Sequence, residues 1–448
     1  MVSVNGVLVR YVKEVIGLTH NVILKAPTHV ELTITEKCNH KCKHCYNSWR
    51  DDIAKQESLS IDKREYIINE LIENQITYVT LTGGEPLMEQ DSLFWFIEKF
   101  KKNNIGIGLN TNLSLMNRDI ANTLVNKYNW GNTILTSLPG FNEYECDDIT
   151  QISGSFSNIE RGIDICIENK IDVGVNVVVT KNNVDKLEEL YDFLDKHRIS
   201  VLALTRVVPP VYNCNDKTFL LDRIDINKIA AFLKIVKKKY GIRVTSLCSL
   251  PFCLIDDVET VDLLSTKCAA GIIGCCINAI SGEITPCAHN EKSYGNVYKD
   301  GLQSAWNNMS SWREGNYIPS ECQKCNMLSA CGGDCRLNSN RVEKKPYSLD
   351  GSCMIRLSND QMIHRYDKEK NYSFNNKTIF REEAFGAVVS LGVNEFYITT
   401  PVYKVLCILR DLGTFDNSDL EKYIVVNDFF EDQLTCWINA EIIYEINK

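Results

Sequence analysis

The chain has 448 residues, 44% hydrophobic and 24% charged, enough to bury a full core in two or three domains. Its net charge of −9 argues against a general nucleic-acid surface, which wants a basic excess. No apolar run approaches the roughly 18 residues of a membrane span, and the opening residues MVSVNGVLVRYVKEV lack the plan of a secretory signal. A cytoplasmic chain is therefore expected, and its 19 cysteines point to metal, because thiols there stay reduced.

Residues 1–28 read as an N-terminal extension. From 29 to 245, short β-branched runs alternate with helical patterns, the signature of a parallel βα architecture. The strand candidates are HVELTIT (29–35), YVTLTGG (78–84), GIGLNTN (106–112), TILTSLPG (133–140), DVGVNVVVT (172–180) and VLALTRVV (201–208). Between and after them, REYIINELIENQ (64–75), VDKLEELYDFLDKH (184–197) and IDINKIAAFLKIVKKKY (224–240) carry helical periodicity. The fold class is α/β: six units are too few for a closed eight-stranded barrel, so a partial (β/α)6 TIM-type barrel is expected. In such folds chemistry sits at the carboxyl ends of the strands.

The loop after the first strand, TEKCNHKCKHCYNSW, places Cys38, Cys42 and Cys45 at C-x3-C-x2-C. Three thiolates this close can hold three irons of a [4Fe–4S] cube and leave the fourth iron open to a substrate or cofactor. Structural zinc, with His40 or His44 as fourth ligand, is the competing reading. The second strand ends in LTGGEPL, whose Gly83 and Gly84 allow close backbone approach and whose Glu85 can accept from an ammonium group.

C-x3-C-x2-C followed by GGEP on the next strand resembles the radical S-adenosylmethionine (SAM) superfamily, over roughly residues 29–240. The resemblance implies that Cys38, Cys42 and Cys45 bind three irons while the methionyl group of SAM chelates the fourth. It implies that Gly83, Gly84 and Glu85 contact the methionyl amine. His44 stands where the family has an aromatic residue beside the adenine, and Ser137 where it has a serine-bearing strand end. Asn176 to Thr180 would lie along the ribose and adenine. Two departures stand out: Pro139 replaces an acid, and Thr150 replaces an arginine that pairs with the SAM carboxylate in many relatives. Arg206 is available for that charge, or is a surface or cap arginine.

From 246 to 360 helical periodicity fades and cysteines crowd, as in segments held together by ligands. Cys268-x13-Gly282-x4-Cys287, then Cys322-x2-Cys325-x5-Cys331-x3-Cys335, then Cys353, resembles the SPASM domain. That resemblance implies two auxiliary [4Fe–4S] clusters. One would use Cys268, Cys287, Cys335 and either Cys275, Cys276 or neither; the other would use Cys322, Cys325, Cys331 and Cys353. Eleven of the cysteines are then ligands, and the others, Cys248 among them, are packing residues.

Residues 361–372 read as a polar linker. The remainder, 373–448, reads as a β-hairpin (EAFGAVVSL, NEFYITT) followed by three helices, a winged-helix-like order. With six Lys/Arg against twelve Asp/Glu it has the wrong sign for DNA. It resembles the small elements that hold leader peptides of ribosomally made, modified peptides as an added strand; a purely structural cap is the alternative.

These resemblances together imply a peptide maturase that cleaves SAM to a 5′-deoxyadenosyl radical and forms a cross-link, thioether favoured, in a precursor peptide. Three [4Fe–4S] clusters and a flavodoxin- or ferredoxin-type reductant follow from the same likeness. A sulfatase maturase or another SPASM dehydrogenase is the alternative within enzymes, although Ala288 stands where sulfatase maturases carry an aspartate. An iron–sulfur redox regulator is the alternative outside them. No residue is assigned as catalytic base.

Overall fold

The computed structural model describes residues 2–4, 7–10, 23–47, 57–208, 220–264, 267–325, 328–337, 366–392, 394–423 and 428–446, the first two ranges as backbone only. Two short N-terminal strands, β1 (Val2–Val4) and β2 (Val7–Arg10), precede the barrel strands. These are β3 (His29–Thr33), β4 (Tyr78–Thr82), β5 (Gly106–Asn110), β6 (Ile134–Ser137), β7 (Val173–Val179) and β8 (Val201–Arg206). They lie side by side in chain order, all parallel. Helices cover the outer face, each started by a local signal. Ser60 caps the helix Ile61–Glu73 by accepting from Lys63 N, and that helix buries Ile67, Ile68 and Leu71. An Asp222/Asp225 capping box starts Arg223–Tyr240.

The expected six strands undercount the sheet. β9 (Arg243–Thr245) pairs with β8, and β10 (Gly274–Asn278) pairs with β3, both in parallel. β11 (Glu283–Thr285) and β12 (Gly295–Asn296) continue outward from β10 in antiparallel. The barrel is open, ending at β9 on one side and β12 on the other. Its sheet therefore runs across the expected boundary at 245/246, and the cysteine-rich segment grows directly from the barrel's first edge. β10 escaped notice because GCCIN is short and thiol-rich, and β9 because no helical repeat follows it.

The C-terminal part is a β/α subdomain with more strands than expected. β13 (Asn371–Phe374) begins inside the expected linker, and β14 (Ile379–Glu383) precedes the hairpin of β15 (Gly386–Leu391) and β16 (Asn394–Thr399). Three helices follow, Thr400–Leu412, Asn417–Glu421 and Asp428–Asn439, with β17 (Thr414–Phe415) between the first two. The run read as the end of the last helix is instead β18 (Ile443–Ile446), antiparallel to β13. The chain turns there at Glu441, whose φ of +58° breaks the helix. The N-terminal extension also joins this sheet: β2 adds parallel to β16, pairing Leu8 with Asn394 and Arg10 with Phe396.

Alternation along β15 and β16 makes this sheet a middle layer. Ala387, Val389, Phe396 and Ile398 enter the subdomain's own core with Leu406 and Leu409, while Val388 and Tyr397 join the barrel core. The contact is polar as well. Arg381, fully buried, donates to Ala26 O at 3.0 Å and Pro27 O at 2.8 Å and pairs with Glu383 at 2.8 Å. Glu383 in turn accepts from Lys25 N at 2.9 Å, and buried Glu395 accepts from Thr77 and Tyr397. All these barrel partners precede β3 or β4. The subdomain thus seats on the barrel floor, at the amino ends of the strands.

Removing one partner of a buried ion pair strands the other, at about 3–5 kcal/mol. Arg381→Ala is expected to lower unfolding stability by that amount in urea denaturation, whereas the exposed Lys370→Ala should leave the midpoint nearly unchanged.

Candidate active site at the carboxyl ends of the strands

The cysteine loop leaves β3 at the opposite end, and three neighbours hold it. The first is the GGEP turn after β4. Gly84 N donates to Thr35 O at 2.8 Å and Glu85 N to Lys37 O at 2.7 Å. The approach is so close that a Cβ on Gly84 would lie 2.1 Å from Lys37 O, and one on Gly83, at φ +153°, 2.3 Å from Thr35 O. What the glycines admit is the cysteine loop itself.

The second neighbour is the loop after β5, where Asn112 Nδ2 donates to Asn39 Oδ1 at 2.9 Å and Asn39 Nδ2 to Ser114 Oγ at 2.8 Å. The third is the helix Glu143–Thr150. Its last carbonyls, Ile149 O and Thr150 O, accept from Lys43 N and Lys41 N at 2.9 Å each. Helix-end carbonyls that lack partners of their own are thereby satisfied by the loop. Thr150, which stands in place of a family arginine, serves here through its backbone.

Glu85 makes a full set of contacts within the chain. It is fully buried, with Oε1 accepting from Leu87 N at 2.9 Å and Thr111 Oγ1 at 2.5 Å, and Oε2 accepting from Asn112 N at 2.7 Å. Burial raises its carboxyl above the usual range, and the three hydrogen bonds oppose the rise. The side chain ties the end of β4 to the end of β5.

Cys38, Cys42 and Cys45 are part-exposed and near one another, and Cys45 N donates to Cys42 O at 3.1 Å. Burial, followed by neighbouring acids and thiols, pushes Cys38 up to about 11 and Cys42 up to about 12. Such thiols stay protonated alone and ionise only against a cation, the behaviour of metal ligands. Among the described residues no three His, Cys, Asp or Glu side chains close in on a single ion. A cube asks for something else, one thiolate at each of three irons around its periphery. The loop's chemistry fits that group, and these three residues would hold it.

The remaining expected SAM contacts lie at the same end of the sheet, with one exception in role. Ser137 and Asn176 are register partners on β6 and β7, and Asn176 Oδ1 accepts from Thr205 Oγ1 at 2.6 Å. His44 sits part-exposed in the cysteine loop. Arg206 ends β8, but its guanidinium is turned to the cysteine-rich segment: Nη2 donates to Ser249 O at 2.9 Å and pairs with buried Asp334. Burial opposes its charge, and Asp334 with the thiols Cys335 and Cys248 outweighs that. Its described contacts through Nη2 go to the cysteine-rich segment.

In the cysteine-rich segment, Cys287 has Cys268 and Cys335 among its charged neighbours, and Cys331 has Cys325. Cys322 and Cys325 share one turn, Cys325 N donating to Cys322 O at 3.0 Å. Cys353 lies outside the described residues. Sequence reasoning missed Glu31, an acid in the middle of β3. Its carboxyl, raised by burial, accepts from Cys276 Sγ at 3.4 Å, and Tyr46, its ring 4.3 Å from that of His289 and tilted to it, lies nearby. The period-two pattern His29, Glu31, Thr33 was the available signal that this face lines the lumen.

Residues 32–194 match the radical SAM superfamily. That span of the chain is a radical SAM domain. As a radical SAM enzyme it shares a SAM-binding catalytic domain with relatives of several kinds. It is 27% identical to mycofactocin maturase MftC of Mycolicibacterium smegmatis over 323 residues, 70% of this chain and 79% of that one. It is 21% identical to the AdoMet-dependent heme synthase of Methanosarcina barkeri over 344 residues, 72% and 97% of the two chains. In fold it resembles anSMEcpe with bound AdoMet and the Cp18Cys peptide, at TM-score 0.55 and 18% identity, over 72% and 92% of the chains. It also resembles Streptococcus suis SuiB bound to precursor peptide SuiA, at TM-score 0.56 and 20% identity, over 74% and 77%. No helix among the described residues is long and apolar enough to cross a membrane.

Gly84→Ala is expected to push the cysteine loop off the GGEP turn. The radical SAM enzyme should then lose about four irons and at least ten-fold in SAM cleavage. Gly131→Ala, where a Cβ meets nothing within 4 Å, should change neither.

Proposed function

We propose that this radical SAM enzyme modifies a ribosomally made precursor peptide, closing a cross-link in which a thioether is the favoured bond. The observation that carries the reading is the C-terminal subdomain, whose sheet accepts a strand from elsewhere in the chain at the edge of β16. A sheet edge that takes an added strand is the physical basis of leader capture, with backbone hydrogen bonds supplying affinity. The subdomain's acidic balance, noted above, disfavours nucleic acid in the same role.

The chain's own residues divide the work. Thr35, Lys37, Gly83 and Gly84 fix the cysteine loop by backbone contact. Ser137 and Asn176 line the strand ends where the nucleoside of SAM would lie. Glu31, Thr82 and Tyr46 come together below them, where a walled space would keep water from a reactive carbon. When bound, the clusters supply one electron for SAM cleavage and take one back from the peptide, so that carbon–sulfur closure releases two hydrogens. Cys38, Cys42 and Cys45 would hold the first cluster, and the cysteine-rich segment two more.

The floor-mounted subdomain sets a spacing. Most barrel strands run five to seven residues, roughly 20 Å, so an extended peptide needs at least about six residues between its anchored leader and the modified residue. The heme synthase likeness keeps a second reading, a SPASM dehydrogenase acting on a non-peptide substrate. Co-expression with a short cysteine-containing peptide encoded nearby distinguishes them. The expected product is lighter by about 2 Da, resists thiol reductants, and carries its bond six or more residues from the leader. A peptide of unchanged mass, with SAM cleavage intact, overturns the peptide reading.

A further inference from the structure

Resting on the reading that the cysteine-rich segment holds two iron–sulfur cubes, we infer that Cys248 is the fourth thiolate of the first, beside Cys268, Cys287 and Cys335. Cys248 lies just after β9, outside the spacing pattern that singled out the other three. Its segment is fastened to the end of β8 on both sides. Leu247 N donates to Thr205 Oγ1 at 3.1 Å, and Arg206 Nη2 donates to Ser249 O at 2.9 Å. The same guanidinium pairs with Asp334, whose Oδ1 accepts from Cys335 N at 2.6 Å. One buried arginine thus draws Cys248 and Cys335 together across a long stretch of sequence. Cys335 and Cys268 are among the charged neighbours of Cys248, and the same two are among those of Cys287.

An independent sign of a missing acceptor lies in the same place. Arg206 Nε and Ser249 Oγ, in residues only 4% exposed, have no hydrogen-bond partner among the described residues. Buried donors are rarely left unpaired. The sulfides and thiolates of an anionic cube accept such bonds and balance the guanidinium charge.

The two cysteines favoured by spacing are placed less well. Adjacent residues on β10 face opposite sides of the sheet. Cys275 belongs to the apolar core, and Cys276 Sγ points into the lumen, where it donates to Glu31.

The test uses the full chain with Cys38, Cys42 and Cys45 all changed to Ala, reconstituted anaerobically, with iron counted and the reduced EPR spectrum recorded. This background should hold about eight irons. Adding Cys248→Ser or Cys248→Ala is expected to remove about four, or to change the signal of one cluster, while Cys275→Ser and Cys276→Ser leave both intact. Cys248→Ala keeps a small apolar side chain, so a merely packed cysteine would tolerate it with every iron retained. Retention of all irons with an unchanged spectrum in Cys248→Ala overturns the assignment, as does loss confined to Cys276→Ser. A background holding about four irons instead refutes the two-cube reading itself.

Discussion

The buried carboxylate of Glu85 is the constraint on which the active end of the barrel depends. It joins the ends of two adjacent parallel strands through Leu87, Thr111 and Asn112, while its own amide holds Lys37 in the cysteine loop. Neighbouring strand ends would otherwise be free to splay, since parallel strands share no turn. With them locked, Asn112 is in place to reach Asn39, and the loop is gripped from two sides. A carboxylate inside protein is worth its desolvation only when fully bonded, and this one is. The motif is thus a clamp within the chain.

The same sheet separates two tasks by its height. The cysteine loop, Ser137 and Asn176 gather at the carboxyl ends, and the C-terminal subdomain grips the amino ends through Arg381, Glu383 and Glu395. The cysteine-rich segment bridges the levels, entering the sheet as β10 beside β3 and returning to β8 through Arg206. Closing an open barrel with a cysteine-rich segment brings further thiols to its mouth without disturbing the six repeating units.

Much of this was legible in the residues. Strands β3 to β8 announced themselves because each alternates with an amphipathic helix, and the clamp loop because thiols and glycines fell at tight spacing. What stayed hidden was set by contacts distant in sequence. Nothing local marks Arg206, read as a candidate SAM partner or a surface arginine, as the partner of Asp334, or Arg381 as a buried anchor for residues before β3. Cys248 has no spacing to betray it, because its neighbours arrive from three other segments. Glu31 was obscured by the apolar residues that alternate with it. The last strand, β18, hid within a helical pattern that a single left-handed residue, Glu441, interrupts.

The central claim is that the cysteine loop, as clamped here, equips the chain to cleave SAM reductively. Its most direct test is the 5′-deoxyadenosine formed by the anaerobically reconstituted chain with SAM and dithionite. Continuous formation is predicted, abolished by Cys42→Ala. A chain that retains iron at this loop yet yields no 5′-deoxyadenosine would contradict the account.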